Sequence, residues 1–212
     1  MHVLLTDRLT CPRCGPEFGL ILLADRMEDR RVIDGTFGCP NCRDQLEVQD
    51  GFADLRAPPR GPLPAGHAGR TEPRPDDAAD AERLIALVGV AQGPGTLVLA
   101  GEPARHAAAF AATIEGIHVV AIDADLTGWP GVTGVSRMAA APGIPLFSRS
   151  IRGVAVDARL GPAALHDAAR VVAPRARVVA VRADEAATGE IFREAGLEVM
   201  ASEAGTVVAA RP

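Results

Sequence analysis

Residues 96–123 read TLVLAGEPARHAAAFAATIEGIHVVAID. Thr96 to Ala100 is a short, almost wholly apolar run, and His118 to Asp123 is a second. Apolar runs of this length without polar alternation suit strands covered on both faces. Between them lies an alanine-rich segment from Pro103 to Ile114. Proline at its start fits the first turn of a helix, where the missing N–H has no intrahelical acceptor to lose. Strand, helix, strand in this order is the repeating unit of a parallel sheet with helices on its faces.

The alternation continues in both directions. Upstream, Asp76 or Asp77 caps a predicted helix whose apolar face carries Leu84, Ile85, Leu87 and Val88. Downstream, the pattern predicts a weaker strand near Val132 to Met138 and another at Val154 to Val156. A helix follows from Pro162 to Val172, then a strand from Arg177 to Val181 and a helix from Ala186 to Ala195 closed by Gly196. Leu197 to Met200 and Thr206 to Ala210 flank Glu203-Ala204-Gly205 as a hairpin. The expectation for residues 76–212 is an α/β unit: a Rossmann-like, doubly wound, mostly parallel sheet with a C-terminal antiparallel hairpin. No internal repeat is visible.

Residues 1–56 carry all four cysteines, as Cys11-Pro-Arg-Cys14 and Cys39-Pro-Asn-Cys42 with 24 residues between the pairs. Each CxxC grips a tetrahedral metal from a tight turn, and two such turns give a closed four-thiolate site, the construction of a structural zinc ribbon. Iron fits the same donor set, and four buried or redox-labile thiols are the alternative. β-like segments at Arg31 to Ile33 and Gln45 to Val48 flank the second knuckle, and Asp50-Gly51 makes a turn. Residues 57–75 (APPRGPLPAGHAGRTEPRP) are rich in Pro, Gly and Arg and read as a linker.

With 212 residues, the chain has room for one full domain and one small one. No apolar stretch reaches the roughly 18 residues that span a bilayer, and MHVLLTDRLT lacks a basic segment before its apolar run. The expected location is therefore cytoplasmic, where thiols stay reduced and CxxC pairs favour metal. Net charge is −5 and every basic residue except histidine is arginine, which argues against broad nucleic-acid binding while leaving a local contact to RNA open. Aromatic residues are 3% of the chain and tyrosine is absent, so a base-stacking platform is not expected.

Several short segments together resemble a known family. The run Ala169-Arg170-Val171-Val172-Ala173-Pro174-Arg175-Ala176-Arg177-Val178-Val179, the Ile144-Pro145-Leu146-Phe147 segment and the Ile122-Asp123 strand end appear in the order of class I S-adenosylmethionine-dependent methyltransferases. The N-terminal part, with Glu47 to Leu55 and its Asp50-Gly51 turn, is similar to the zinc ribbons of methyltransferase-activating subunits and of some rRNA guanine methyltransferases. The resemblance implies a cofactor cradle at Gly101, with Asp123 holding ribose hydroxyls. It also implies departures. The glycine-rich loop is reduced to Leu99-Ala100-Gly101-Glu102-Pro103-Ala104-Arg105, an acidic position near the fourth strand is matched by Arg152, and the Pro-Gly-Gly turn is Pro174-Arg175-Ala176. Glycine at such a loop lets the backbone turn and approach a cofactor closely.

These residues predict a zinc-binding, methyltransferase-like protein that has lost catalysis and docks to a protein partner or complex. Its metal ligands would be Cys11, Cys14, Cys39 and Cys42, with weak or absent S-adenosylmethionine binding at Gly101 and Asp123. The rival expectation is an active methyltransferase, possibly on RNA. Gly101 and Asp123 also have structural readings, as the start of the Pro103 helix and as a strand-end cap. Asp157 reads equally as a ligand-edge or a turn residue, and His106 as a surface residue. Arg149, Arg152 and Arg159 are read as a basic edge or a solvated face. Neither oligomeric state nor partner identity is expected to be legible.

Overall fold

The computed structural model of the chain describes residues 1–63 and 77–212. Residues 64–75 of the expected linker and the Asp76 cap lie outside the described residues. The chain begins with a 3-10 turn, Val3–Arg8, and a two-stranded pair, β1 (Thr10–Cys11) and β2 (Gly15–Gly19). The ribbon continues as β3 (Ile21–Glu28), β4 (Arg31–Gly38), β5 (Gln45–Gln49) and β6 (Phe52–Arg56), each antiparallel to the next. Asp29 and Arg30, both with positive φ, close the β3–β4 hairpin in the mirror-image turn that matches strand twist.

The second part follows as α1 (Asp77–Val88), β7 (Gly95–Ala100), α2 (Ala107–Thr113), β8 (Ile117–Ile122), β9 (Val135–Ala141), β10 (Ile151–Asp157), α3 (Pro162–Val171), β11 (Val172–Val181), α4 (Glu185–Glu194), β12 (Glu198–Glu203) and β13 (Thr206–Ala210). Strands β9, β8, β7, β10 and β11 are parallel, and β13 inserts antiparallel between β11 and β12. The chain leaves β7 in one direction toward β8 and β9 and returns on the other side through β10 and β11. The crevice at that reversal is where open α/β sheets bind ligands. This is the doubly wound, mostly parallel sheet with a terminal hairpin that the sequence predicts.

The ribbon does not hang apart from this sheet. Its last strand, β6, pairs in parallel with β9, from Phe52 opposite Arg137 to Arg56 opposite Ala141, so one sheet of eleven strands runs from β12 to β3. The core is equally continuous. Met1, Leu5, Leu9, Val32, Phe37, Leu46, Ala53 and Leu55 share one buried cluster with Met138, Leu146, Val154, Ala168 and Phe192. The opposite face is covered by α1 and α2, which pack Leu84, Val88 and Phe110 on Leu97, Leu99, Val119 and Ala155.

Local differences from the sequence expectation have simple causes. The helix expected from Pro103 begins as a 3-10 turn, Glu102–His106, and becomes α-helical only from Ala107. The weaker strand near Val132 starts at Val135, after Gly134 with φ +79°. Strand β11 starts at Val172 rather than Arg177. Its register shifts so that Ile151 faces Val172 and Gly153 faces Arg177, and Pro174 and Arg175 (φ +63°) bulge out between.

Because β6 is part of both the ribbon and the main sheet, Leu55→Ala should lower the stability of the whole molecule by about 2–4 kcal/mol. Urea unfolding followed by far-UV dichroism and by the emission of Trp129 should show one coincident transition. Two separated transitions would contradict a shared core.

Candidate metal centre and candidate ligand pocket

The two CxxC turns meet. Cys11 Sγ lies 3.7 Å from Cys42 Sγ and Cys39 Sγ lies 3.8 Å from Cys14 Sγ. All four sulfurs fall within 4.8 Å of one another. A tetrahedral ion with metal–sulfur bonds of about 2.3 Å puts its sulfurs about 3.8 Å apart, so the donor set fits such an ion without rearrangement. The surroundings suit thiolates. The Cys14 N–H points at Cys11 Sγ at 3.4 Å, and Asn41 Nδ2 donates to Cys14 Sγ at 3.3 Å. Burial pushes the Cys11 and Cys42 thiols up, whereas at Cys39 burial is outweighed by the Cys42 and Asn41 N–H groups, which draw it down to about 7. Arg13 and Asp44 form an exposed ion pair of 3.4 Å beside the cluster.

A cavity of about 320 Å³ opens at the carboxyl ends of β7, β8 and β10. Gly101 and Glu102 line it from the first of these ends, Asp123 and Asp125 from the second and Asp157 and Arg159 from the third, with Leu126, Trp129 and Leu160 as apolar walls. Each of the two residues expected here therefore reaches the pocket and also has a structural task. Gly101 has φ +72° and precedes the Glu102–His106 turn. A Cβ at Gly101 would lie 2.7 Å from Asp157 Cβ and 3.1 Å from Leu160 Cδ1, so the glycine is required by the close approach of β7 to β10. Asp123 accepts the Asp125 N–H at 2.9 Å and caps the turn Ala124–Gly128.

The remaining polar groups are engaged with one another. Asp157 caps the Ala158–Leu160 turn and receives Arg159 Nη2 at 2.6 Å. Burial pushes the Asp157 carboxyl up, but the hydrogen bonds from the Arg159 side chain and backbone prevail and hold it below the usual carboxylate range. Glu102 pairs with Arg182 at 3.5 Å, and Arg105 with Asp77 at 2.9 Å. The Gly101 N–H donates to Ile122 O and Gly101 O accepts from Ala104, while Pro103 has no N–H to offer.

Arg137 gave no signal in the sequence beyond one basic residue in an apolar run. It is 6% exposed on β9. Its Nη1 donates to Leu126 O and Trp129 O, and its Nη2 to Asp50 O at 3.1 Å. One buried guanidinium thus ties the ribbon's Asp50-Gly51 turn to the Leu126–Trp129 wall of the pocket. His106, expected on a surface, is buried at 4% exposure because the 3-10 turn rotates it inward, and burial lowers its pKa. The three arginines considered as a basic edge are separated. Arg159 is at the pocket, Arg152 at the far end of β10 donates to Gln92 O and Pro94 O, and Arg149 precedes β10 on the opposite sheet edge from the pocket. Among the described residues no helix is long and apolar enough to cross a membrane.

No protein-family profile matches the chain, and no curated protein sequence matches it. Among solved structures, it is similar to a chain from the complex between the Haloferax volcanii Trm112 methyltransferase activator and a protein described as a methyltransferase. That match has 18% identity and a TM-score of 0.47 over 61% of this chain and 80% of the other. It is also similar to the Bacillus subtilis protein YcgJ, with 13% identity and a TM-score of 0.44 over 57% and 69% of the two chains. A third likeness is to the antibiotic-resistance methyltransferase Kmr, with 13% identity and a TM-score of 0.43 over 62% and 93%. The fold is defined by the strand order described above: a doubly wound, mostly parallel α/β sheet extended by a four-cysteine ribbon.

Two outcomes are expected. Protein purified without added metal should carry about one equivalent of a thiophilic divalent ion, and its stripping by a chelator should lower the stability of the whole molecule, because the free energy of metal binding enters folding where ribbon and sheet share one core. Elemental analysis below about half an equivalent would contradict this. Arg137→Met leaves buried carbonyls unpaired at about 1–3 kcal/mol each. The single tryptophan, Trp129, should then shift its emission to the red and become more accessible to acrylamide while far-UV dichroism still reports a folded chain.

Proposed function

We propose that the chain is a zinc-binding, methyltransferase-like protein that acts as a binding or scaffold subunit for a protein partner or complex, not as a catalyst. The observation that carries this is the packing of Gly101 against Asp157 and Leu160. The one glycine kept in the phosphate-loop position serves contact within the protein, and Glu102 and Pro103 follow where close backbone approach to a cofactor would be needed. Three of the pocket's charged groups, Asp157, Glu102 and Arg105, are paired with Arg159, Arg182 and Asp77, so a ligand reaching them would have to displace existing ion pairs. The ribbon also offers a surface suited to a partner: β3 is a sheet edge, and Ile21 and Leu23 are 57% and 65% exposed on it.

The other reading, an active S-adenosylmethionine-dependent methyltransferase, is favoured by the cavity itself, which sits at the strand-order reversal with Asp123 on its wall. Calorimetric titration with S-adenosylmethionine separates the two. The scaffold reading expects no saturation below about 1 mM, since each unmade buried hydrogen bond costs about 1–3 kcal/mol. A dissociation constant tighter than about 50 μM that is lost in Asp123→Ala would establish the other reading.

A further inference from the structure

We propose that the cleft framed by the residues before β10, the C-terminal half of α3 and the end of β13 is an anion site that takes a phosphate group, either inorganic phosphate or a small phosphate ester. The cleft measures about 560 Å³ and is lined by Ser148, Arg149, His166, Arg170, Ala195 and Arg211. It lies at the sheet edge opposite the Gly101 pocket. The chain as a whole is acidic, at −5, yet three guanidiniums, one imidazole and one hydroxyl converge here.

A carboxylate beside the cleft, that of Asp167, is already used. Asp167 accepts Arg170 Nε at 2.7 Å with one oxygen and the Ile144 N–H at 2.8 Å with the other. Arg170 also donates to Leu146 O, Ile144 O and Ser148 Oγ. Arg211 is held by carbonyls alone, with Nε on Val172 O and Nη2 on Ala169 O. Both guanidiniums are therefore fixed before any ligand arrives, which removes part of the ordering cost of binding. Neither Arg149 nor Arg211 has an ion pair among the described residues. Burial, followed by the charge of Arg149, lowers the Arg211 pKa.

The main chain places Arg149 deliberately. Its N–H donates to Arg170 O at 3.0 Å and the next N–H, of Ser150, to Val171 O at 2.9 Å. Its φ of +56° is a conformation a non-glycine residue keeps only where neighbours impose it. The Arg149 guanidinium, with the Ser148 hydroxyl and the His166 imidazole beside it, suits the tetrahedral oxygens of phosphate better than a single carboxylate. No phenylalanine, tyrosine or tryptophan lines the cleft among the described residues.

The test is calorimetry on the full metal-loaded chain at fixed ionic strength, with inorganic phosphate and a nucleoside 5′-monophosphate as separate titrants. Saturable one-to-one binding is expected. Arg149→Gln should weaken it at least about tenfold, a change of about 1.4 kcal/mol, Arg149→Lys should retain part of it, and Arg152→Gln should leave it unchanged. Tighter binding of the nucleotide would assign the site to an ester, and equal binding to free phosphate; both support the proposal. It is overturned if phosphate gives no more than chloride, if Arg149→Gln binds like the parent, or if a short RNA binds through Arg149 and phosphate does not displace it. Far-UV dichroism of the Arg149 variants checks that they are folded.

Discussion

The parallel pairing of Phe52–Arg56 with Val135–Ala141 is the contact on which the rest of the architecture depends. A 56-residue ribbon has little core of its own, and an open parallel sheet has an edge at β9 that exposes unpaired backbone groups. Each solves the other's problem. Strand β6 satisfies the β9 edge, and Ala53 and Leu55 on it enter the cluster that also contains Met138 and Val154. An ion held by the four cysteines would stabilise more than its own knuckles. By fixing β1 against the β4–β5 turn, it would hold the strands that present β6 and so act at a distance on the α/β sheet.

Arg137 extends that dependence from the sheet to the pocket. A guanidinium at 6% exposure carries a large desolvation penalty, and here it is offset by three carbonyl acceptors. Burial, then the nearby charge of Arg31, lowers its pKa, while guanidinium is basic enough to stay protonated. Because the acceptors belong to the ribbon turn on one side and the Leu126–Trp129 wall on the other, the wall is positioned only when the ribbon is seated. A neutral hydrogen-bonding residue would not bridge both. The ribbon is thus structurally upstream of the pocket.

Much of this was legible in the sequence for reasons that are local. Apolar strands such as Thr96–Ala100 and His118–Ile122 read directly because burial on both faces leaves no polar alternation. The cysteine pairs read because metal geometry fixes their spacing. The terminal hairpin read from its Ala204-Gly205 turn. The unread features are long-range. Nothing in FADLR announces a parallel partner more than 80 residues away, and nothing in VSRMAAA distinguishes Arg137 from a surface arginine. Strand β3 escaped because its residues are largely exposed and do not alternate. The burial of His106 depends on the chain entering this helix through a 3-10 turn, which changes the face the residue presents.

The candidate sites were half legible for a related reason: one residue serves two purposes. Asp123 and Asp157 end strands where a ligand edge is expected, and both also cap the turns that follow. In a working cofactor cradle the loop's backbone groups are left for the ligand, which makes the loop itself less stable. Here Gly101 is packed against β10, Pro103 removes a donor, and Glu102, Arg105 and Asp157 are matched by Arg182, Asp77 and Arg159. Each of these is a contact the protein makes to itself. The sheet keeps its order because that order is held by strand pairing and the ribbon, neither of which needs an occupied crevice.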